Sequence, residues 1–126
     1  MIDGCWANAT GQLQGNYQGN APFLISPHAA LLNVTGIKVT YAAGITGSCN
    51  DDTLGDISAV QDAASAADVI MYFGGIDTTV EAEGNDRTEI SWLPNSIAIL
   101  ETLATYEKPL VVFQVRILPS SQRYCC

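Results

Sequence analysis

The sequence predicts an α/β fold, a three-layer α/β/α sandwich around a mostly parallel sheet. Three observations support this. Apolar, β-branched runs alternate with helical segments along the chain. Two of these runs, Val69–Phe73 and Leu110–Phe113, lack polar alternation, as is typical of strands covered on both faces. Signals that start helices precede the helical segments. Strands that alternate with helices favour parallel pairing through right-handed crossovers.

The first third of the chain predicts one helix and one strand. Residues 1–25 are rich in Gly, Asn and Gln and predict a structured loop without a regular element. Ser26 is a good N-cap and Pro27 suits the first helical position, so a helix begins here and is expected to end near Gly36. Residues 37–41 alternate and contain β-branched side chains, which predicts a strand.

The remainder predicts two more helix–strand units. After a polar loop over residues 44–55, Asp56 can cap a second helix, and residues 68–73 follow as a buried strand. Leu93 and Pro94 begin a third helix, and residues 109–113 form a third strand. The apolar positions that keep helical spacing in these two helices are Ile57, Val60, Ala64, Ala67, Ile97, Leu100, Leu103 and Ala104.

The predicted sheet is small and open. Three strands are few for such a fold, no strand is expected before the first helix, and residues 115–126 show no helical period. A sheet that ends this way leaves unpaired edges. We therefore expect a truncated domain over residues 4–114, followed by an irregular tail over 115–126.

Composition narrows the functional classes. The 126 residues are 48% apolar and suit one globular domain. Only 14% are charged, and the net charge of −8 would repel nucleic acid and anionic lipid while tolerating neutral ligands such as sugars. No apolar run reaches the roughly 18 residues of a membrane span. The first residues lack a basic region followed by an apolar one, so no signal peptide is expected in this chain.

The glycosylation sequons, together with the neutral polar composition, suggest a secreted parent protein. Two glycosylation sequons begin at Asn8 and Asn33, and the polar residues are largely uncharged. The four cysteines fit no zinc-binding spacing, so no metal site is expected. A disulfide between Cys5 and Cys49 and a pair of free thiols are equally compatible with the sequence.

The loop after the strand at residues 68–73 holds the candidate chemistry. It begins with Gly74 and Gly75, and its charged residues are Asp77, Glu81, Glu83, Asp86 and Arg87. Open α/β sheets bind ligands at the carboxyl ends of their strands. Acid–base work on an uncharged substrate uses such carboxylates, although solvated loop charges are the alternative interpretation. Asp77 could bind a sugar hydroxyl or cap the turn, and Asp86 and Arg87 are expected to anchor the loop, since Arg can hold a carboxylate bidentately.

Six motifs occur in one order along the chain: Trp6–Thr10, Gln14–Tyr17, Ala21–Pro27, Phe73–Asp77, Glu81–Arg87 and Lys108–Val112. Together they resemble fungal β-xylosidases of glycoside hydrolase family 3. The resemblance covers residues 4 to about 114. It departs at the front, where the family has an apolar strand leading into Gly-Pro-Trp, and at the back, where the family continues into a Gly-rich turn and further strands.

The resemblance implies the second domain of that family, an α/β sandwich that sits against an N-terminal (β/α)8 barrel absent from this chain. The barrel would supply the nucleophilic Asp, and the sandwich would supply the general acid/base. Glu83 is the candidate for that role and Glu81 is its rival. The implied parent is a secreted, retaining enzyme that releases xylose from xylo-oligosaccharides without a cofactor. Arabinose and glucose remain alternative sugars.

Two other functions are compatible with the sequence. A non-catalytic, flavodoxin-like module could use the same loop to bind a small ligand. A truncated gene product without function is the third hypothesis. We expect the chain alone to be inactive, because it would hold only the acid/base half of the site.

Overall fold

The computed structural model describes residues 1–14 and 19–116, apart from the side chain of Gln12. In this part of the chain, five strands form one sheet in the order β3-β2-β1-β4-β5. The β2–β1, β1–β4 and β4–β5 pairs are parallel, and the β2–β3 pair is antiparallel. The strands are β1 (Ile2–Gly4), β2 (Ala42–Thr46), β3 (Thr53–Leu54), β4 (Ile70–Ile76) and β5 (Leu110–Arg116).

Three α-helices connect these strands. They are α1 (Pro27–Leu32), α2 (Ile57–Ala66) and α3 (Pro94–Ala104), and a short 3-10 helix spans Gly11–Gln14. Ser26 accepts a hydrogen bond from Ala29 N at 3.1 Å, and Asp56 accepts from Ser58 N and Ala59 N. The predicted caps of the first two helices are therefore confirmed, as is the start of the third at Pro94.

The sheet is covered on both faces. On one face, buried residues of α2 and α3, among them Val60 and Ile99, pack on Ile2, Ile70 and Tyr72 of the strands. On the other face lies a second apolar cluster, built around Trp6 and Phe73, against which Leu31 of α1 packs. The predicted α/β sandwich with a mostly parallel sheet is confirmed.

The structure corrects several element predictions. A strand does precede the first helix: β1 lies in the middle of the sheet. The predicted strand at 37–41 is wrong, because the paired residues are 42–46, and α1 ends at Leu32 rather than near Gly36. The sheet has five described strands instead of three. β5 runs to Arg116, two residues into the segment expected to be irregular, and the rest of that segment lies outside the described residues.

A disulfide joins Cys5, directly after β1, to Cys49 in the loop after β2. Of the two alternatives left open by the sequence, the structure contains the disulfide. Cys5 has a positive φ of 80°. This cross-link ties the carboxyl ends of two neighbouring strands together on the edge of the sheet where the candidate loop begins.

Asp52 caps α3 from a distant part of the chain. Its carboxylate accepts hydrogen bonds from Asn95 N at 2.7 Å, from Ser96 N at 3.1 Å and from Ser96 Oγ at 3.0 Å. The residue at the local N-cap position, Leu93, has no side chain that can serve. Asp52 therefore fixes the beginning of α3 to the loop between β2 and β3.

Asp52→Ala is expected to lower the free energy of unfolding by about 3 kcal/mol. The change removes a helix cap and leaves buried N–H groups without an acceptor, and both losses add to the cost. Urea denaturation followed by circular dichroism measures the effect. Asp62→Ala, an exposed position on α2, is the matched control and should change stability by less than about 0.5 kcal/mol. Equal stability of the two variants would contradict the remote cap.

Candidate active site

The connections that follow the neighbouring strands β1 and β4 lie on opposite faces of the sheet. After β1 the chain passes to the face that holds α1, and after β4 it passes to the face that holds α3. Such a switch point opens a crevice at the carboxyl ends of the two strands, where open α/β sheets bind ligands. The acidic loop, residues 77–87, begins at this crevice.

Asp3 lies at the β1 side of the crevice and has a structural role that the sequence did not indicate. It is buried, and its carboxylate accepts hydrogen bonds from Ala7 N and from the Tyr41 hydroxyl, both at 2.8 Å. Burial and the hydrogen bond to Asp3 raise the pKa of Tyr41 to about 12. Tyr41 therefore stays a hydrogen-bond donor across the physiological pH range, and Asp3 holds the turn after β1.

Asp77 forms the base of the acidic loop. Its side chain is buried, and Oδ1 accepts hydrogen bonds from the backbone N–H and the hydroxyl of Thr79. Its carbonyl accepts from Val80 N at 3.0 Å and Glu81 N at 3.1 Å. Of the two roles considered for Asp77, this geometry is that of a turn cap.

Glu81 lies between two arginines. Oε2 is 2.9 Å from Arg87 Nε, and Oε1 is 3.4 Å from Arg116 Nη2 at the end of β5. The Glu81 side chain is 12% exposed. Oε2 is shielded from solvent and is not in hydrogen-bonding geometry, so its contact with Arg87 is an ion pair without a directional bond.

Glu83 lies at the tip of the loop. Ala82 and Asn85 exchange two backbone hydrogen bonds, at 3.0 and 2.9 Å, and enclose Glu83 and Gly84 in a tight turn. Gly84 has a φ of 78°, as the third residue of a type II turn requires. Asn85 Nδ2 also donates to Thr79 O. Glu83 is exposed.

The chain matches a family model described as the glycosyl hydrolase family 3 C-terminal domain over residues 3–120. It belongs to glycoside hydrolase family 3. It is 50% identical over 114 residues, 89% of its length, to the exo-1,4-beta-xylosidase xlnD of Aspergillus niger. It is 42% identical over 112 residues to the exo-1,4-beta-xylosidase xlnD of Aspergillus oryzae.

Solved structures of the family have the same fold. A family 3 exo-beta-xylosidase, XlnD, in complex with a xylobiose aziridine probe matches 90% of this chain with a TM-score of 0.74 and 43% identity. A Bifidobacterium adolescentis family 3 beta-glucosidase matches with a TM-score of 0.65 and 24% identity, which supports the fold alone. This family 3 chain spans about 14% of the length of the xylosidases that it matches.

The remaining charged candidates of this family 3 domain, Arg87 and Asp86, follow the tip of the acidic loop. Arg87 pairs with Glu81 rather than with the adjacent Asp86, and its Nη1 donates to Ile90 O at 3.2 Å. Asp86, directly after the turn at that tip, is exposed. The sequence identified the four carboxylates of the acidic loop but missed Asp3, and it missed Arg116 because that residue lies 35 residues from Glu81 at the end of another strand.

Neither the tryptophans nor the histidine lies in the acidic loop. Trp6 is fully buried in the second apolar cluster, and Trp92 packs against Tyr72 with ring centroids 6.0 Å apart. His28 stacks on Tyr41 at 4.7 Å, and its Nδ1 is 2.9 Å from Asn8 Oδ1. These contacts give all three residues structural roles.

The two sequon asparagines are exposed on the side of the sheet that carries α1. Asn33 Nδ2 donates to Ala29 O at the end of that helix. Within residues 1–14 and 19–116, no group of His, Cys, Asp or Glu side chains is arranged to hold a metal ion. No helix in those same ranges is both long and apolar enough to cross a membrane.

Proposed function

We propose that this domain supplies the general acid/base of a secreted, retaining β-xylosidase and that Glu83 is that residue. The observation that carries the proposal is the contrast between the two glutamates of the loop. The side chain of Glu81 is only 12% exposed, whereas Glu83 is one of the exposed residues of the turn between Ala82 and Asn85. A sugar oxygen can approach Glu83 from outside the domain.

The chemistry needs a second carboxylate opposite Glu83. A retaining enzyme places its two carboxyl groups about 5–5.5 Å apart across the scissile bond. Glu83 would protonate the leaving oxygen while a carboxylate of the N-terminal barrel attacks the anomeric carbon. Glu83 would then take a proton from the water that releases xylose. An exposed loop tip suits this division, because it can extend from one domain into a pocket formed by another.

The relatives support xylo-oligosaccharides as the substrate class, since they are named exo-1,4-beta-xylosidases. A neutral sugar chain also suits a domain of net charge −8. A small-ligand binding module has less support. The FMN that flavodoxin binds carries a phosphate, which the four carboxylates of the loop would repel.

The test is Glu83→Gln in a full-length chimera, in which residues 3–116 replace the matching segment of the Aspergillus niger xylosidase. We expect kcat/KM for xylobiose to fall about 10³-fold, because general acid catalysis is lost. For a dinitrophenyl β-xyloside, whose leaving group needs little protonation, bond cleavage should slow far less. Burst kinetics with that substrate separate bond cleavage from the later hydrolysis step.

Glu89→Gln is the matched control, because Glu89 is an exposed glutamate of the same connection between β4 and α3. This variant should hydrolyse both substrates at the rates of the parent chimera. The assignment fails if Glu83→Gln hydrolyses xylobiose normally, or if Glu81→Gln shows the larger leaving-group dependence. In the latter case Glu81 would be the acid.

A further inference from the structure

We propose that Arg116 is a positioning residue for catalysis and acts, together with Arg87, by holding Glu81 so that the next turn presents Glu83. The inference rests on the proposed function of Glu83. It assigns to Glu81 the role of an anchor and to the end of β5 a part in the site.

The geometry shows how the anchor works. Glu81 separates the base of the loop, where Asp77 caps the turn, from the tip, where Ala82 pairs with Asn85. Those contacts lie within the loop, and Val80 packs the loop onto the second apolar cluster. The contact between Glu81 and Arg116 adds a link to a neighbouring strand, at 3.4 Å.

The sheet register brings Arg116 to this position. β5 runs parallel to β4, and Arg116 lies beside Ile76, the last residue before Asp77. Gly75 has a φ of 143° and allows the two strands to approach closely, since a Cβ atom there would lie 1.8 Å from Val115 O. Arg116 thus projects from the same edge of the sheet as the loop.

Electrostatics make both arginines necessary. Glu81 is 12% exposed, and a largely buried carboxylate needs its cationic partners. Arg87 follows the tip of the loop in the sequence, and Arg116 lies at the end of β5. Glu81 precedes the tip, so its two ion pairs link the first half of the loop to both arginines. A loop that loses either partner would shift the Glu83 carboxyl, and a displacement of about 1 Å can reduce a rate by on the order of 10²-fold.

The test uses the full-length chimera described above with Arg116→Met. We expect kcat for xylobiose to fall on the order of 10²-fold, with a much smaller change in KM. The rate of bond cleavage should fall less for the dinitrophenyl β-xyloside than for xylobiose, because Arg116 supports proton donation and this leaving group needs little of it. Arg116→Lys should recover part of the rate, since it keeps the charge without the planar fork.

A double variant tests the route through Glu81. If Arg116 acts through this carboxylate, Glu81→Gln combined with Arg116→Met should be no slower than the slower single variant. Lys38→Met, which removes an exposed cation from the segment before β2, is the matched control and should keep the parent rates. Thermal melts of all variants identify any that fail to fold.

The outcomes separate the two proposals. Parent rates for Arg116→Met, or equal losses on both substrates, would overturn the positioning role while Glu83→Gln still shows its leaving-group dependence. If Glu83→Gln lacks that dependence, the proposed function itself has failed. If Arg116→Met does not fold, Arg116→Lys and Glu81→Gln test the positioning role instead. Leaving-group-dependent losses in these two variants support the inference, and rates equal to the parent contradict it.

Discussion

Gly75→Ala is expected to destabilise the domain by on the order of 4 kcal/mol, the largest single-residue effect on stability predicted for this chain. Gly75 has a φ of 143°, which L-amino acids rarely adopt, and a Cβ atom there would lie 1.8 Å from the backbone oxygen of Val115. That oxygen belongs to the paired strand and cannot rotate away. The β4–β5 pairing beyond Phe73 would therefore have to open.

Urea denaturation and thermal melts measure the effect. For a domain of this size, a loss of that magnitude lowers the melting temperature by roughly 15 °C. Gly84→Ala is the matched control, because Gly84 also has a positive φ but its Cβ position faces open space. It should cost only about 1 kcal/mol of backbone strain. If both variants lose the same stability, strain alone decides and the contact with Val115 contributes nothing.

The helices could be predicted because their signals are local. Ser26 and Asp56 cap the helices that they precede, and Pro94 begins α3. The cap of α3 could not be predicted, because its signal is not local. Asp52 lies 43 residues upstream of Asn95 and reaches the helix only through the fold. Local sequence can show that a helix begins but not that its cap comes from another loop.

The two missed central strands contain small residues for a packing reason. In β2, a Cβ atom on Gly44 would lie 2.9 Å from Ile99 Cδ1 and 3.0 Å from Asp3 O. In β1, a Cβ atom on Gly4 would meet the Tyr72 ring. Close approach of neighbouring elements selects glycine here, and glycine weakens the strand signal. Tertiary packing thus outweighed propensity.

Strand propensity was equally misleading just before β2. Residues 37–41 have the alternating, β-branched pattern of a strand but pair with none of the strands in the described part of the chain. Val39 and Tyr41 instead pack against the cluster around Trp6. Their alternation therefore reflects one buried side of a connecting segment, a pattern that sequence alone cannot distinguish from a half-buried strand.

The candidate site was predictable in composition but not in arrangement. A Gly-Gly strand end followed by four carboxylates identified the loop, and parallel topology placed it at the carboxyl edge of the sheet. Which glutamate faces the arginines depends on the register between β4 and β5, which brings Arg116 beside Ile76. No spacing along the chain carries that information.

Purified alone, the 126-residue chain is expected to hydrolyse an aryl β-xyloside more than about 10⁶-fold more slowly than the full-length chimera. The retaining reaction needs a nucleophilic carboxylate opposite Glu83. Glu81, two residues away, is held by Arg87 and Arg116 and cannot take that role without breaking both ion pairs. Release of the aryl alcohol, followed by absorbance, compares the two proteins at equal concentration.

The Glu83→Gln form of the isolated chain is the control for this comparison. Both isolated forms should match the rate in buffer, because an acid without a nucleophile cannot form the glycosyl intermediate that carries the acceleration. Turnover by the isolated chain that Glu83→Gln abolishes would contradict the division of the site between two domains. It would mean that a second carboxylate of this chain can reach the sugar, and Glu81 released from its arginines would be the first to examine.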